Sequence, residues 1–317
     1  MLPKFTNWSL KLSKFTSKFP IGRVGFHNQQ NELSPFQARN LLKPFVFTLS
    51  VCGSSFVVAT IWRYENQRSD FRSFLSITNS GIQKIQRRYQ KEDDYIQQIK
   101  QWWNSQSDGF KMFCGITAIN TLVFFGWRIP QLQTRIMTKY FMASVEQKSI
   151  RCLPMILSNF SHYSPMHFGL NMFVLYSFAN IGVHIMGKEN FLALYLSSGV
   201  MSSFVSSCYK VAVKSLTPSL GASGAILGIL ASTCIERPDI ELMIIFLPFF
   251  SFSSATALKG LILMDTAGLI FRWGFFDHAA HLGGTLFGVY YSTILKQYLN
   301  RKQSVIIKHW VDLKQKF

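Results

Sequence analysis

The sequence predicts an all-α, polytopic membrane protein: a lone first helix, then a compact set of six. Three observations predict it. Only 33 basic and 15 acidic residues occur among 317, so charged residues are 15%, against roughly 25% in soluble domains. Phe alone fills 30 positions. The apolar residues also gather into charge-free stretches of about 20 residues, the length that crosses a bilayer at ~1.5 Å per residue. Hydrocarbon offers no partner for open backbone groups, so the spans must be helices. The aromatic content excludes a disordered chain. Five Cys without regular spacing exclude a disulfide framework.

The net charge is +18, and its position assigns it. Lys4, Lys11, Lys14, Lys18 and Arg23 precede the first acid, Glu32. Hydroxyl residues and a recurring Leu2, Phe5, Trp8, Leu12, Phe15 pattern lie among them. A basic, acid-poor, amphipathic start without an apolar h-region reads as a mitochondrial presequence with linker over 1–40. No basic–aromatic nucleic-acid module and no phosphate-binding loop occurs, so neither nucleic acid nor nucleotide is expected as a partner.

The elements follow in order. Pro44 to Trp62 is uncharged and gives the extra transmembrane helix, within 41–62. Residues 63–110 are polar and of mixed sign, a loop or short amphipathic piece outside the bilayer. Met112 to Trp127 is the next span, opening a six-helix core over 111–299. The connection from Arg128 to Met166 holds Pro130, Pro154 and Pro165 and is too amphipathic for a plain linker. His167 to Met186, Phe191 to Val213 and Ser223 to Ile235 are further spans. Leu242 to Leu258, with Pro248, reads as interfacial, Gly260 to Phe271 as a span despite Asp265, and His278 to Leu295 as the last. Residues 300–317 are a basic tail. There is no internal symmetry of the transporter kind.

Polar side chains inside spans are costly and are functional candidates by default. Ser223 lies where a loop becomes a helix, in Ser219-Leu220-Gly221-Ala222-Ser223-Gly224-Ala225. The free N–H groups of a helix start suit an oxyanion, and Gly221 lets the chain turn. Taken alone, Gly224 and Gly228 read first as a helix-packing pair. His281, Gly284 and Gly288 share a second glycine-smoothed face. If the two stripes pack together, Ser223 and His281 come within reach as nucleophile and base. His167 and Asn171, four apart, point the same way and can donate hydrogen bonds, as an oxyanion pocket or as an interhelical clamp. Asp265 is either a structural acceptor or the group that orients a histidine. His278 and His281 lack the His-Glu-x-x-His pattern, so no metal is expected.

Together, Gly221-Ala222-Ser223-Gly224, His281-xx-Gly284-xxx-Gly288 and His167-xxx-Asn171, with His162 upstream, resemble the rhomboid family of intramembrane serine proteases. They stand in that family's order, over about two thirds of the chain. The extra leading helix and the Asp277-His278-Ala279-Ala280-His281 string are similar to its mitochondrial, presenilin-associated branch. The resemblance implies a six-helix rhomboid core with one extra N-terminal transmembrane helix (1+6). It implies Ser223 as nucleophile and His281 as general base, a dyad with no acidic third member. His167, Asn171 and the Ser223 N–H would form the oxyanion pocket, with His162 in support and no cofactor. Substrates would be transmembrane proteins of the mitochondrial inner membrane, with the chain's N-terminus in the matrix. Two departures stand out. Bacterial members carry a Tyr one turn after the nucleophile, stacked on the histidine, where this chain has Leu227; something else must orient His281, with Asp265 the candidate. Trp127-Arg128 falls at a helix end, so the family's Trp-Arg role is not transferred. The alternative is a catalytically silent scaffold, chaperone or transporter. A transporter would carry several intramembrane charges or a repeat, and an inactive relative would lack the serine or the histidine.

Overall fold

The computed structural model describes residues 41–79, 94–145, 150–244 and 247–316. The expected presequence and linker over 1–40 lie outside these residues, as does the run from Arg87 to Asp93.

Helix α1 (Leu42–Asn79) buries Thr48, Cys52, Phe56 and Ala59. Their spacing of three and four makes one stripe, laid on α5 (Lys188–Ala212). Phe56 stacks on Tyr291 with ring centroids 5.3 Å apart. The helix does not end at Trp62: residues expected as loop, through Asn79, continue it. From Arg63 to Asn79 there is no Pro or Gly to break the ladder, so polarity ends the apolar stretch without ending the helix. Glu65 there accepts from Trp310 Nε1 at 2.7 Å and pairs with Lys314 at 2.8 Å. Asn66 donates to Glu189 at 2.7 Å.

More of the expected loop is helical. Helix α2 (Asp94–Ser105) is amphipathic, with Tyr95, Ile96, Ile99, Trp102 and Trp103 exposed along it. Ser107 then caps α3 (Asp108–Gly126) by accepting from Phe110 N at 3.1 Å, with Asp108 favourably placed in the first turn. The connection after α3 is packed rather than slack: short turns at Pro130–Leu132, Gln133–Met137, Thr138–Tyr140 and Leu153–Leu157 lead through a segment that buries Met155, Asn159 and His162. Trp127 Nε1 donates to Ser161 at 2.8 Å and Arg128 to the Tyr163 carbonyl at 2.9 Å, so both residues anchor this connection.

Helix α4 (Pro165–Met186) starts with Ser164 as cap and Pro165 at its first position. It ends at Gly187, whose φ of +80° turns the chain directly into α5. Helix α6 (Ser223–Glu236) follows a loop with Pro218 and Gly221. The segment expected as interfacial forms an antiparallel hairpin, β1 (Glu241–Ile244) with β2 (Leu247–Ser253), a local departure from the all-helical expectation. A hairpin satisfies its own inner backbone groups, and Pro248 disfavours a helix there. Helix α7 (Ser254–Ile270) therefore starts six residues before the expected Gly260, capped by Ser253. Helix α8 (His278–Tyr290) runs through a π turn, Tyr291–Leu295, into α9 (Lys296–Gln315). The tail is thus helical, held to α1 by Trp310 and Lys314.

The fold is a helical polytopic bundle with α5 at its centre, packed on α1, α6 and α8. Four helices among the described residues are long and apolar enough to cross a membrane: Leu42–Ser76, Asp108–Gly126, Pro165–Met186 and Lys188–Ala212. Three other expected spans, α6, α7 and α8, have 14, 17 and 13 residues. Helix α8 is nonetheless continued without a break by the π turn and α9.

Candidate active site

The starts of α4, α6 and α8 and the end of α7 converge on one cavity of about 850 Å³. Ser223 opens α6, behind Gly221 at φ +134°. Glycine is required at that φ, and a Cβ there would also lie 2.6 Å from the His167 ring. The loop before Ser223 is pinned on three sides. Ser219 and Ala143 exchange backbone hydrogen bonds at 2.7 and 2.9 Å, and Gly221 N donates to the Ser158 carbonyl at 2.9 Å. Ala222 N donates to His162 Nε2 at 3.3 Å.

Across the cavity, Ser223 Oγ and His281 Nε2 are 2.9 Å apart. The two glycine stripes make that distance possible. Gly284 lies against the backbone of Gly224, and Gly288 against that of Gly228, so closely that a Cβ on either would overlap the facing carbonyl. Gly224 and Gly228 in turn seat on Ser202 and Ser198 of α5. Small residues allow such backbone contact between helices.

His281 is held from both sides. Its Nδ1 is 3.4 Å from Asp265 Oδ1, and that carboxylate is 1% exposed. The Phe276 ring lies over it, centroids 5.9 Å apart and tilted by 34°. The aromatic companion therefore comes from the residue before Asp277, not from the position of Leu227, which packs against the buried cluster of Leu230, Ala231, Cys234 and Leu258. Nothing in the Phe275-Phe276 pair marks it as such in the sequence.

Asp277 is a second element that spacing alone does not disclose. Its Oδ1 caps α8 by accepting from Ala280 N at 3.0 Å. Its Oδ2 accepts from Ser206 at 2.6 Å and from Lys210 at 2.7 Å, and also from Ser219. One carboxylate thus ties the start of the histidine helix to α5 and to the loop that carries the serine. Burial pushes its pKa up, but Lys210 and the two hydroxyl donors outweigh burial and hold it at about 2.

His167 lines the cavity beside Ser223. Asn171 does not: its amide is buried and donates to the His167 carbonyl at 2.8 Å. Spacing puts both on one face of α4, but a side chain one turn deeper in the helix can close on its own backbone. His162 is fully buried, with its ring 5.0 Å from that of His167. Burial first, then the proximity of His167, lower its pKa from 6.5 to about 3. A base whose folded value lies below its unfolded value contributes stability that is complete above pH 6.5. That contribution is lost as pH falls toward about 3, because the unfolded chain takes up the proton first. Asp277 adds its own loss only as pH falls below 3.8 toward about 2, so the slope above pH 3.8 is the part that separates His162 from it. The unfolding temperature of the detergent-solubilised protein should fall in this range, and His162→Gln, which retains an acceptor for Ala222, should flatten the slope. Equal slopes in both proteins would remove His162 from the account.

A rhomboid domain model matches residues 150–298, from within the packed connection to the first turn of α9. The human and mouse proteins named presenilin-associated rhomboid-like protein, mitochondrial, are 46% and 47% identical to the chain over 282 residues. The alignment covers 89% of this chain and 73% and 74% of those proteins. The Saccharomyces cerevisiae protein named Rhomboid protein 1, mitochondrial, is 28% identical over 243 residues, 76% of this chain and 69% of its own length.

Proposed function

The chain belongs to the rhomboid family, in its presenilin-associated rhomboid-like branch, and we propose that it is itself a working member: a serine endopeptidase that cuts other proteins in or near their transmembrane segments. The observation that carries this reading is the 2.9 Å contact between Ser223 Oγ and His281 Nε2, at the wall of a cavity large enough to admit an unwound peptide. The mitochondrial names of the relatives and the basic start support a mitochondrial location, and we assign the inner membrane.

The chemistry follows from the atoms. Ser223 Oγ attacks the scissile carbonyl carbon while His281 Nε2 takes its proton. The resulting imidazolium faces the Asp265 carboxylate through Nδ1, which fixes the tautomer and offsets the new charge. The oxyanion forms beside His167 and the first-turn N–H groups of α6, which lack helical partners. Each such donor contributes about 3 kcal/mol to the transition state. His281 then returns the proton to the leaving amine, the C–N bond breaks, and an ester to Ser223 remains. Water deprotonated by His281 releases the acyl group and restores the hydroxyl. A helical backbone is closed to this attack, so substrates with helix-weakening residues near the cut are favoured.

A fluorophosphonate probe tests the proposal on the purified wild-type protein. Covalent labelling that maps to Ser223 is the expected result. No labelling, under conditions that modify a control rhomboid, would assign the chain to the silent scaffolds.

A further inference from the structure

Resting on the protease reading above, we propose that His278 is a positioning residue for the reaction: its Nδ1–H holds the Asp265 carboxylate in the orientation that faces His281. His278 and His281 stand three apart on the first turns of α8, and both present Nδ1 to the same oxygen, Asp265 Oδ1. The distances are 2.8 Å from His278 and 3.4 Å from His281. The shorter contact belongs to the histidine that does not reach the serine.

Asp265 needs such a holder. It is 1% exposed, and the two imidazoles are its only ion-pair partners among the described residues. Its Oδ2 has no hydrogen-bond partner among them. A buried carboxylate in this setting is costly unless donors satisfy it, and its direction is set wholly through Oδ1. His278 is itself fixed. Its ring fills the space left by Gly268, one turn after Asp265 on α7, where any side chain would run into it. Trp273 and Phe276 flank the ring at 5.9 and 6.1 Å. Its Nε2 is buried without a partner among the described residues, so the neutral tautomer with its one proton on Nδ1 fits, and that proton points at Asp265. The result is a chain of orientation, from His278 to Asp265 to His281 to Ser223, in which His278 stands on the wall of the same cavity but makes its hydrogen bond to Asp265 rather than to the serine.

The test uses the full chain reconstituted in liposomes with a single-span substrate, alongside the rate of fluorophosphonate labelling. His278→Ala removes the donor. Its kcat and labelling rate should fall by about 10-fold or more, the scale of losing a hydrogen-bond partner that holds a metal-bound histidine in place, with KM unchanged. His278→Asn is the conservative variant: its Nδ2 branches from Cγ as the imidazole Nδ1 does, so it can donate to Asp265 from nearly the same place. It should recover activity to within about threefold of wild type, a residual too small to reflect a lost orienting bond. Wild-type kinetics in His278→Ala would overturn the inference because the donor would then be dispensable, and equal losses in both variants would overturn it because ring volume rather than the donor would then matter. Should His278→Ala fail to fold, the Asn variant decides by the same criterion; if neither folds, the residue is structural and the inference falls. An unlabelled wild-type protein is a separate outcome, which removes the protease reading and this inference with it.

Discussion

Purified Ser223→Ala and His281→Ala proteins are expected to lose cleavage of reconstituted single-span substrates by at least about 10⁴-fold, the scale on which paired nucleophile and base act as a unit. The two losses should not add: the double variant should be no slower than either single one, since neither residue accomplishes the step without the other. Both should retain the fold. Ser223 and His281 meet each other across a cavity wall rather than in the packed interior, so truncation leaves a slightly larger cavity and no orphaned buried charge. Unfolding temperatures close to wild type are the control. Asp265 is different: replacing it removes the hydrogen-bond acceptor of His278 and the carboxylate that His281 faces. Retained proteolysis in pure Ser223→Ala protein would refute the assignment, whatever the fold.

The sequence discloses the parts of this site that depend on covalent spacing. It places a span from Ser223 to Ile235, and α6 runs Ser223–Glu236, because Pro218 and Gly221 leave little choice about where a helix can start. The facing of Gly284 on Gly224 and Gly288 on Gly228 is implied by two small-residue stripes of equal period. What spacing does not disclose is what side chains do once the helices are placed. Phe276 covers His281, yet it is one of 30 Phe in the chain. Asn171 turns to its own helix backbone, a choice of rotamer invisible in a pattern. Lys210, Ser206 and Ser219 meet on Asp277 from α5 and the loop before α6, and no local rule links them to it. The extension of α1 is hidden for a different reason: hydropathy reports where lipid ends, whereas a helix ends only where backbone or capping chemistry stops it.

The second large effect should come from a residue with no chemistry of its own. Gly→Ala at an open helical position ordinarily stabilises by about 0.5–1 kcal/mol, through lower backbone entropy in the unfolded chain. At Gly260 in α7 an added methyl would meet nothing within 4 Å, so Gly260→Ala should follow that rule and leave activity unchanged. Gly284 should invert it. A methyl there would occupy the space of the Gly224 carbonyl, and the Gly224 Cα would stand 3.0 Å away. Both neighbours are backbone, so neither can rotate aside; α8 must move away from α6. Overpacking of this kind costs about 1–3 kcal/mol. The larger consequence is positional. Gly284 lies less than one turn after His281, so a separation that relieves the clash also lengthens the 2.9 Å contact with Ser223. A misplacement of about 1 Å costs on the order of 10²-fold in rate. Gly284→Ala should therefore reduce kcat by about that factor in protein that remains folded, and Gly284→Val should also lower the unfolding temperature. Wild-type turnover in Gly284→Ala would mean that the stripes do not set the distance between base and nucleophile, and that the helices are held together by contacts elsewhere.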